Sequence, residues 1–137
     1  MTDTIFAKII RGEIPTDIIY EDDHCIAIND ISPRAPVHVL VIPKKAIPRL
    51  ADASNEDQEL LGHLMLAVGR VAEQLGVSDA FRVVINNGSG AGQTVFHLHF
   101  HILPRTDGVD LKMHAGGMAD FAELEVHAQR IKAALDD

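Results

Sequence analysis

The 137-residue chain has no tryptophan, one tyrosine and one cysteine. Five phenylalanines complete its aromatic content, so a core drawn from the 47% apolar residues must be largely aliphatic. A single cysteine excludes an internal disulfide and fits a reducing compartment. Within HCIAIND, Cys25 reads as a small buried hydrophobe. No apolar run reaches the roughly 18 residues that a membrane-spanning helix needs. The opening MTDTIFAKII has an acid at position 3 and too short an apolar stretch to read as a secretory signal. Basic residues are outnumbered, 12 against 20 acidic, for a formal charge of −8. That balance speaks against a nucleic-acid binder, which normally carries a basic face. A small anion is still admissible, because backbone donors and local fields can hold a phosphate in an acidic protein. Repeats, low-complexity tracts and long linkers are missing too. The expectation is one soluble, cytoplasmic domain with no nucleic-acid or membrane partner.

What is present is a short alternation of elements. TIFAKIIRGEIP predicts a short helix with Phe6, Ile9 and Ile10 on one side, ended by Gly12 and Pro15. DIIYED and CIAIND are β-prone runs joined through Asp22–Asp23, a hairpin pattern. SPRAP is a stiff connector into VHVLVIP, whose nearly continuous apolar character suits a central strand covered on both faces. His38 stands at its start. Pro43 and Pro48 bracket a turn. Ser54 then has the character of an N-cap, with Glu56, Asp57 and Glu59 in the first turn. Leu60, Leu64, Val68, Val71 and Leu75 follow at helical spacing up to Gly76. FRVVINN predicts a strand, TVFHLHFHIL another, and Phe121, Leu124, Ile131 and Leu135 a final helix. Five strands with helices at the start, middle and end predict an α+β fold built on an antiparallel sheet.

The chemistry is concentrated in NNGSGAGQTVFHLHFHILPR, from Asn86 to Arg105. Three of the eight histidines, His97, His99 and His101, lie at alternate positions. On a strand they share one face, with Phe96, Leu98, Phe100 and Ile102 on the other. Idle surface histidines are one reading of this row. A metal site is a second, but at a ~3.3 Å rise the outer Cα atoms lie about 13 Å apart, too far for easy three-ligand geometry. A pair from the row with His38 is the remaining metal option. Phosphoryl or nucleotidyl chemistry is the third reading, and the loop before the row favours it. Gly88, Gly90 and Gly92 let backbone N–H groups converge on an anion, while Ser89, Gln93 and Thr94 add donors. The glycine spacing is not a dinucleotide fingerprint, and the loop leads into a strand. A neutral imidazole is a nucleophile near pH 7, and its neighbours can move protons or steady phosphate charge. His99 is the natural attacker, flanked by His97 and His101.

HLHFHIL matches the His-φ-His-φ-His-φ-φ signature of the histidine triad (HIT) superfamily, where φ is hydrophobic. TIFAKIIRGEIP, EDDHCIAINDISPRAPVHVLVIPKK and NNGSGAGQTVFHLHFHILPR resemble successive segments of its Hint-like and bacterial hydrolase branch, over roughly residues 4–105. The resemblance implies an α+β, HIT-like fold whose five-stranded sheet continues across a homodimer. It implies hydrolysis of purine nucleotide derivatives at the α-phosphate through a nucleotidyl-histidine intermediate. By motif position His99 is the nucleophile, His97 orients it through backbone and ring, and His38 completes the proton network. His101 contacts a phosphate oxygen with Gln93 and Thr94, beside Gly92. Asn86 lies near ribose or phosphate, and Asp30 accepts from the ribose hydroxyls. Phe6, Ile9, Ile14, Ile28, Ile31 and Leu40 form the base pocket, with core packing as the alternative for each.

The chain departs from the family pattern in three places. Pro104–Arg105 stands where Hint proteins carry Gly-Gly-Arg. From Thr106 the tail is similar to the helical extension of bacterial relatives, giving a single domain with a core over about 4–105 and an extension over about 106–137. Thr4 and Ala7 occupy the Cys-x-x-Cys positions at which some bacterial members bind zinc, so no metal or other cofactor is expected. The function implied is a nucleoside phosphoramidase releasing AMP or GMP. The alternatives are a dinucleoside polyphosphate hydrolase, or a nucleotide-binding adaptor with slow hydrolysis. His24, His63, His114 and His127 lack any such support; His63 and His127, on the helices, read as solvent-facing, and Lys44 and Lys45 as a solvated charge pair.

Overall fold

The computed structural model describes residues 3–30, 38–105 and 121–135. The elements run α1 (Ile5–Ile10), β1 (Ile18–Glu21), β2 (Cys25–Asn29), β3 (Val39–Pro43), α2 (Gln58–Gln74), β4 (Phe81–Val84), β5 (Phe100–Pro104) and α3 (Phe121–Leu135). The five strands form one sheet in the order β1-β2-β3-β5-β4, and each neighbouring pair is antiparallel. This is the α+β architecture expected from the sequence.

Both faces of the sheet are covered, which explains the unbroken apolar run of β3. Alternation within β2 and β3 sends Cys25, Ala27, Val39 and Val41 to one face, where they pack with Phe100, Ile102 and the Leu64, Ala67, Val68 and Val71 stripe of α2. It sends Ile26, Ile28, Leu40 and Ile42 to the other, against Phe6 and Ile9 of α1. The start of α2 is set locally. Ser54 and Asp57 form a reciprocal capping box on the 3-10 turn Asn55–Asp57 that leads into α2, and Lys45 bonds the Asp57 carboxylate. Lys44 pairs with Glu21 at 2.9 Å, so the two lysines join ion pairs at the sheet end instead of standing as a merely solvated pair.

The histidine segment departs from the expected strand. Pairing with β3 begins only at Phe100, opposite Val41. Continuing that register would set Leu98 opposite Pro43, which has no N–H to give the ladder. The chain turns away instead, and the Leu98 N–H donates to the Ile47 carbonyl at 2.7 Å. Leu98, Phe100 and Ile102 still enter the α2-side core, but Phe96 is exposed and not part of that face.

Residues 108–137 form a compact unit of their own, within which α3 is the described element. Ile131 and Leu135 on α3 are exposed. The connector at 32–36 and His114 lie outside the described residues, as do the side chains of Phe121, Leu124 and His127. Among the described residues, no helix is long and apolar enough to cross a membrane.

Leu64 is fully buried between α2 and the sheet. Leu64→Ala is expected to lower the unfolding free energy by about 2–5 kcal/mol in urea titrations. A loss below about 1 kcal/mol would mean that this helix–sheet contact is not a principal part of the core.

Candidate active site

The site lies on the α1 side of the sheet, where β5 and the residue before β3 present histidines. The register pairs Leu40 with His101 and His101 with Val84, so His101 sits mid-sheet on that face. His38 immediately precedes β3, and its carbonyl accepts from the Asp30 N–H at 2.8 Å, which ties together the ends of β2 and β3. Its Nε2 lies 2.8 Å from His101 Nδ1 and 3.3 Å from Asp30 Oδ2. The Asp30 carboxylate and the His101 ring thus meet at one His38 nitrogen, forming a cluster of three proton-exchanging groups. Their donor atoms also converge within 4.8 Å, which would suit a cation. Among the described residues, the three row histidines do not converge in this way.

His99 is held differently. Its Nδ1 lies 2.7 Å from the backbone oxygen of His97. A carbonyl only accepts, so Nδ1 carries the proton and the neutral ring presents Nε2 as a free lone pair. His97 Nε2 in turn donates to the Pro43 carbonyl at 2.7 Å, filling the gap left where the β-ladder stops. The His97 ring is therefore an anchor for its own backbone, and it positions His99 through its carbonyl. The Phe6 ring meets His99 edge-on, with centroids 5.0 Å apart and planes at 81°. Burial lowers the pKa of both His97 and His99 below the ordinary histidine value, outweighing the carbonyl bonds that raise it. Both rings are neutral at pH 7.

A cavity of about 530 Å³ opens beside these groups, within the range of about 300–1,000 Å³ typical of small-ligand sites. Asp30, His38, Asn86, Gly92, Thr94, His99 and His101 all line it, which brings most of the expected polar residues to one place. Asn86 Nδ2 lies 3.4 Å from His101 Nε2. Gly92 adopts φ +93°, a conformation that a side chain would strain, and it turns the loop toward the cavity.

Gln93 stands behind the cavity as a brace. It is buried, its Oε1 accepts from the Gly88 N–H at 2.7 Å, and its Nε2 donates to the carbonyls of Pro48 and Val95. Phe6, Ile9, Ile28 and Leu40 are packed in the α1-side core, with Ile14 against them. Of these, Phe6 reaches the histidines directly. Ile31 lies outside the described residues.

The sequence reading missed Arg82, which also lines the cavity. It lies opposite Leu103 in the β4–β5 register, on the face that carries His101 and Val84. The period of two in FRVV was the available signal, but it points to no cavity until the pairing partner is known.

A family model, the HIT domain, matches residues 11–108. An uncharacterized HIT-like protein of Synechocystis sp. is 63% identical over 101 residues, covering 74% of this chain and 89% of the relative. The purine nucleoside phosphoramidase of Escherichia coli is 46% identical over 102 residues, covering 74% of this chain and 86% of that protein. Among solved structures, a HIT family hydrolase from Clostridium thermocellum superposes with a TM-score of 0.76 at 42% identity, covering 82% of this chain and 99% of that one. The family model and these relatives together define the chain as a hydrolase. The chain belongs to the HIT family.

The lowered His97 and His99 pKa values have a signed consequence. Below about pH 6.5 the unfolded chain takes up protons that these folded-state rings refuse. Their contribution to stability is therefore complete above that pH and declines as the pH falls through it. NMR titration of the native protein should place the His99 midpoint below about 6.5, and unfolding free energies should decrease toward acid. A midpoint above the ordinary value would contradict the neutral, desolvated ring.

Proposed function

We propose that the protein is a purine nucleotide hydrolase acting at the α-phosphorus, in the manner of a nucleoside phosphoramidase that releases AMP or GMP. The observation that carries this reading is the free Nε2 of His99, fixed by the Nδ1 bond to the His97 carbonyl. The phosphoramidase name of the Escherichia coli relative supports it.

In the proposed first step His99 Nε2 attacks phosphorus in line with the leaving nitrogen. A P–N bond to histidine forms as the substrate P–N bond breaks, and the departing amine takes a proton from the His38–His101 pair at the cavity wall. In the second step water attacks the same phosphorus, gives its proton back to that pair, and returns His99 to its starting form. Thr94, the backbone at Gly92 and His101 hold the phosphate oxygens, with Arg82 adding positive charge. Gln93 contributes by holding the loop. Asp30, with Asn86 on the same cavity, accepts from the ribose hydroxyls. Phe6, Ile9, Ile14, Ile28, Ile31 and Leu40 provide the apolar environment for the base.

The working unit in this proposal is a cytoplasmic homodimer with joined sheets. Val83 on the β4 edge, with Met65 and Leu66 on α2, offers exposed apolar surface suited to a second copy. Pro104–Arg105, in place of the Gly-Gly-Arg ending, favours dinucleoside polyphosphates as the second substrate class. The same attack by His99 would serve for them.

The test is release of AMP from adenosine phosphoramidate, with diadenosine polyphosphates in parallel. His99→Ala should lower kcat/KM by about 10³-fold or more, as loss of a group essential to the chemistry implies. Arg82→Ala should lower it by roughly 10–100-fold, the range for losing a charge-assisted hydrogen bond. Turnover undiminished in His99→Ala, or nucleotide binding with no turnover of either substrate, would overturn the enzymatic reading in favour of an adaptor.

A further inference from the structure

A second cluster of chemically competent side chains lies on the opposite face of the sheet. Asp22, in the turn between β1 and β2, uses Oδ1 to accept from the backbone N–H groups of His24 and Cys25, at 2.7 and 2.9 Å. Those bonds fix the carboxylate and leave Oδ2 aimed toward α2. There Oδ2 meets His63 Nε2 at 2.7 Å, Cys25 Sγ at 3.6 Å and the Tyr20 hydroxyl at 2.8 Å. The His24 ring packs edge-on to the His63 ring, with centroids 4.7 Å apart. His63 is half-buried by these contacts, contrary to the solvent-facing placement expected for it.

A hairpin turn is complete once Asp22 caps the backbone. Neither the imidazole nor the sulfur is needed for that, yet both converge on the same oxygen. A carboxylate, a thiol and an imidazole, with donor atoms within 4.8 Å of one another, form a donor set for a borderline-soft cation. With Zn–S near 2.3 Å and Zn–N and Zn–O near 2.0–2.1 Å, tetrahedral angles require S···O of about 3.5 Å and N···O of about 3.3 Å. The sulfur–oxygen pair already stands at 3.6 Å. The nitrogen–oxygen pair at 2.7 Å must open by roughly 0.6 Å to reach the tetrahedral spacing. The His63 side chain is 27% exposed and that of Asp22 23%, so solvent can reach the cluster and supply a fourth ligand.

We propose that Asp22, Cys25 and His63 form a zinc site with one solvent-open position, clamping the β1–β2 hairpin to α2. It is separate from the HIT centre and from the Thr4 and Ala7 positions. Cys25 faces the α2-side core, whereas His101 faces the other side of the sheet. Binding releases the Cys25 proton to solvent as the S–Zn bond forms; the proton that His63 Nε2 gives to Asp22 moves by solvent exchange to Nδ1, so that Nε2 ligates through the freed lone pair and Asp22 through its Oδ2. Without metal, burial pushes the thiol up to about 12, so Cys25 is no reactive nucleophile.

The test uses the full chain after chelator treatment, titrated with Co(II) and then Zn(II). A single Co(II) per chain should produce a thiolate-to-cobalt charge-transfer absorption that Zn(II) abolishes, and zinc should raise the Tm. Cys25→Ser should remove that absorption, and His63→Gln, at a half-exposed helix position, should weaken zinc binding by about tenfold or more. His101→Asn, in the cavity, should leave the absorption unchanged. If Cys25→Ser fails to fold, the wild-type spectrum and His63→Gln still decide. Cobalt uptake without a charge-transfer band, or unchanged zinc affinity in His63→Gln, would overturn the proposal.

Discussion

The bond from His99 Nδ1 to the His97 carbonyl is the constraint on which the site depends. It selects one tautomer and one ring orientation, and so determines which nitrogen meets the cavity. That carbonyl is available because the ladder between β3 and β5 ends at the Val41–Phe100 pair, short of Pro43. Had pairing continued, the backbone around His97 and Leu98 would have been drawn into the sheet. Pro43 ends the ladder, and its own carbonyl then anchors the His97 ring. The Leu98 N–H finds Ile47, and Gln93 ties the loop to Pro48. A local interruption of regular structure thus becomes a set of well-satisfied polar contacts around one imidazole.

The electrostatics are equally local. A chain of net charge −8 gives no hint of an anion site. Yet Arg82, three imidazoles and a glycine-shaped loop face one cavity, while among the described residues a single carboxylate, Asp30, lines it. Desolvation by the α1-side core keeps His99 neutral, and Phe6 contributes directly to that environment. The core packing and the neutral state of His99 therefore have a common cause: the apolar face that α1 lays over the sheet also shields the ring from water.

Much of this was legible in the sequence because it is local or periodic. The β3 run announced a strand covered on both faces, Ser54 and Asp57 announced the start of α2, and the alternation of Leu98, Phe100 and Ile102 announced a core-facing side. What escaped depends on pairing. The late start of β5 follows from Pro43 facing Leu98 across a register that no single segment contains. Arg82 became a site residue only through its place opposite Leu103. Gln93 was expected to touch a phosphate because amides often do, whereas burial assigned its three bonds to the backbone. His63 was read as a surface residue because its partner Asp22 is 41 positions away.

The central claim is that His99 Nε2 forms a bond to phosphorus. It is tested most directly by acid-labile, base-stable adduct mapping. The protein is mixed with adenosine phosphoramidate, quenched within the first turnovers at alkaline pH, digested, and sequenced by mass spectrometry. The account predicts an adenylyl group on His99 that disappears when the mixture is left to turn over before quenching. An adduct on His97 or His101, or steady AMP release with no protein adduct at any time, would contradict it.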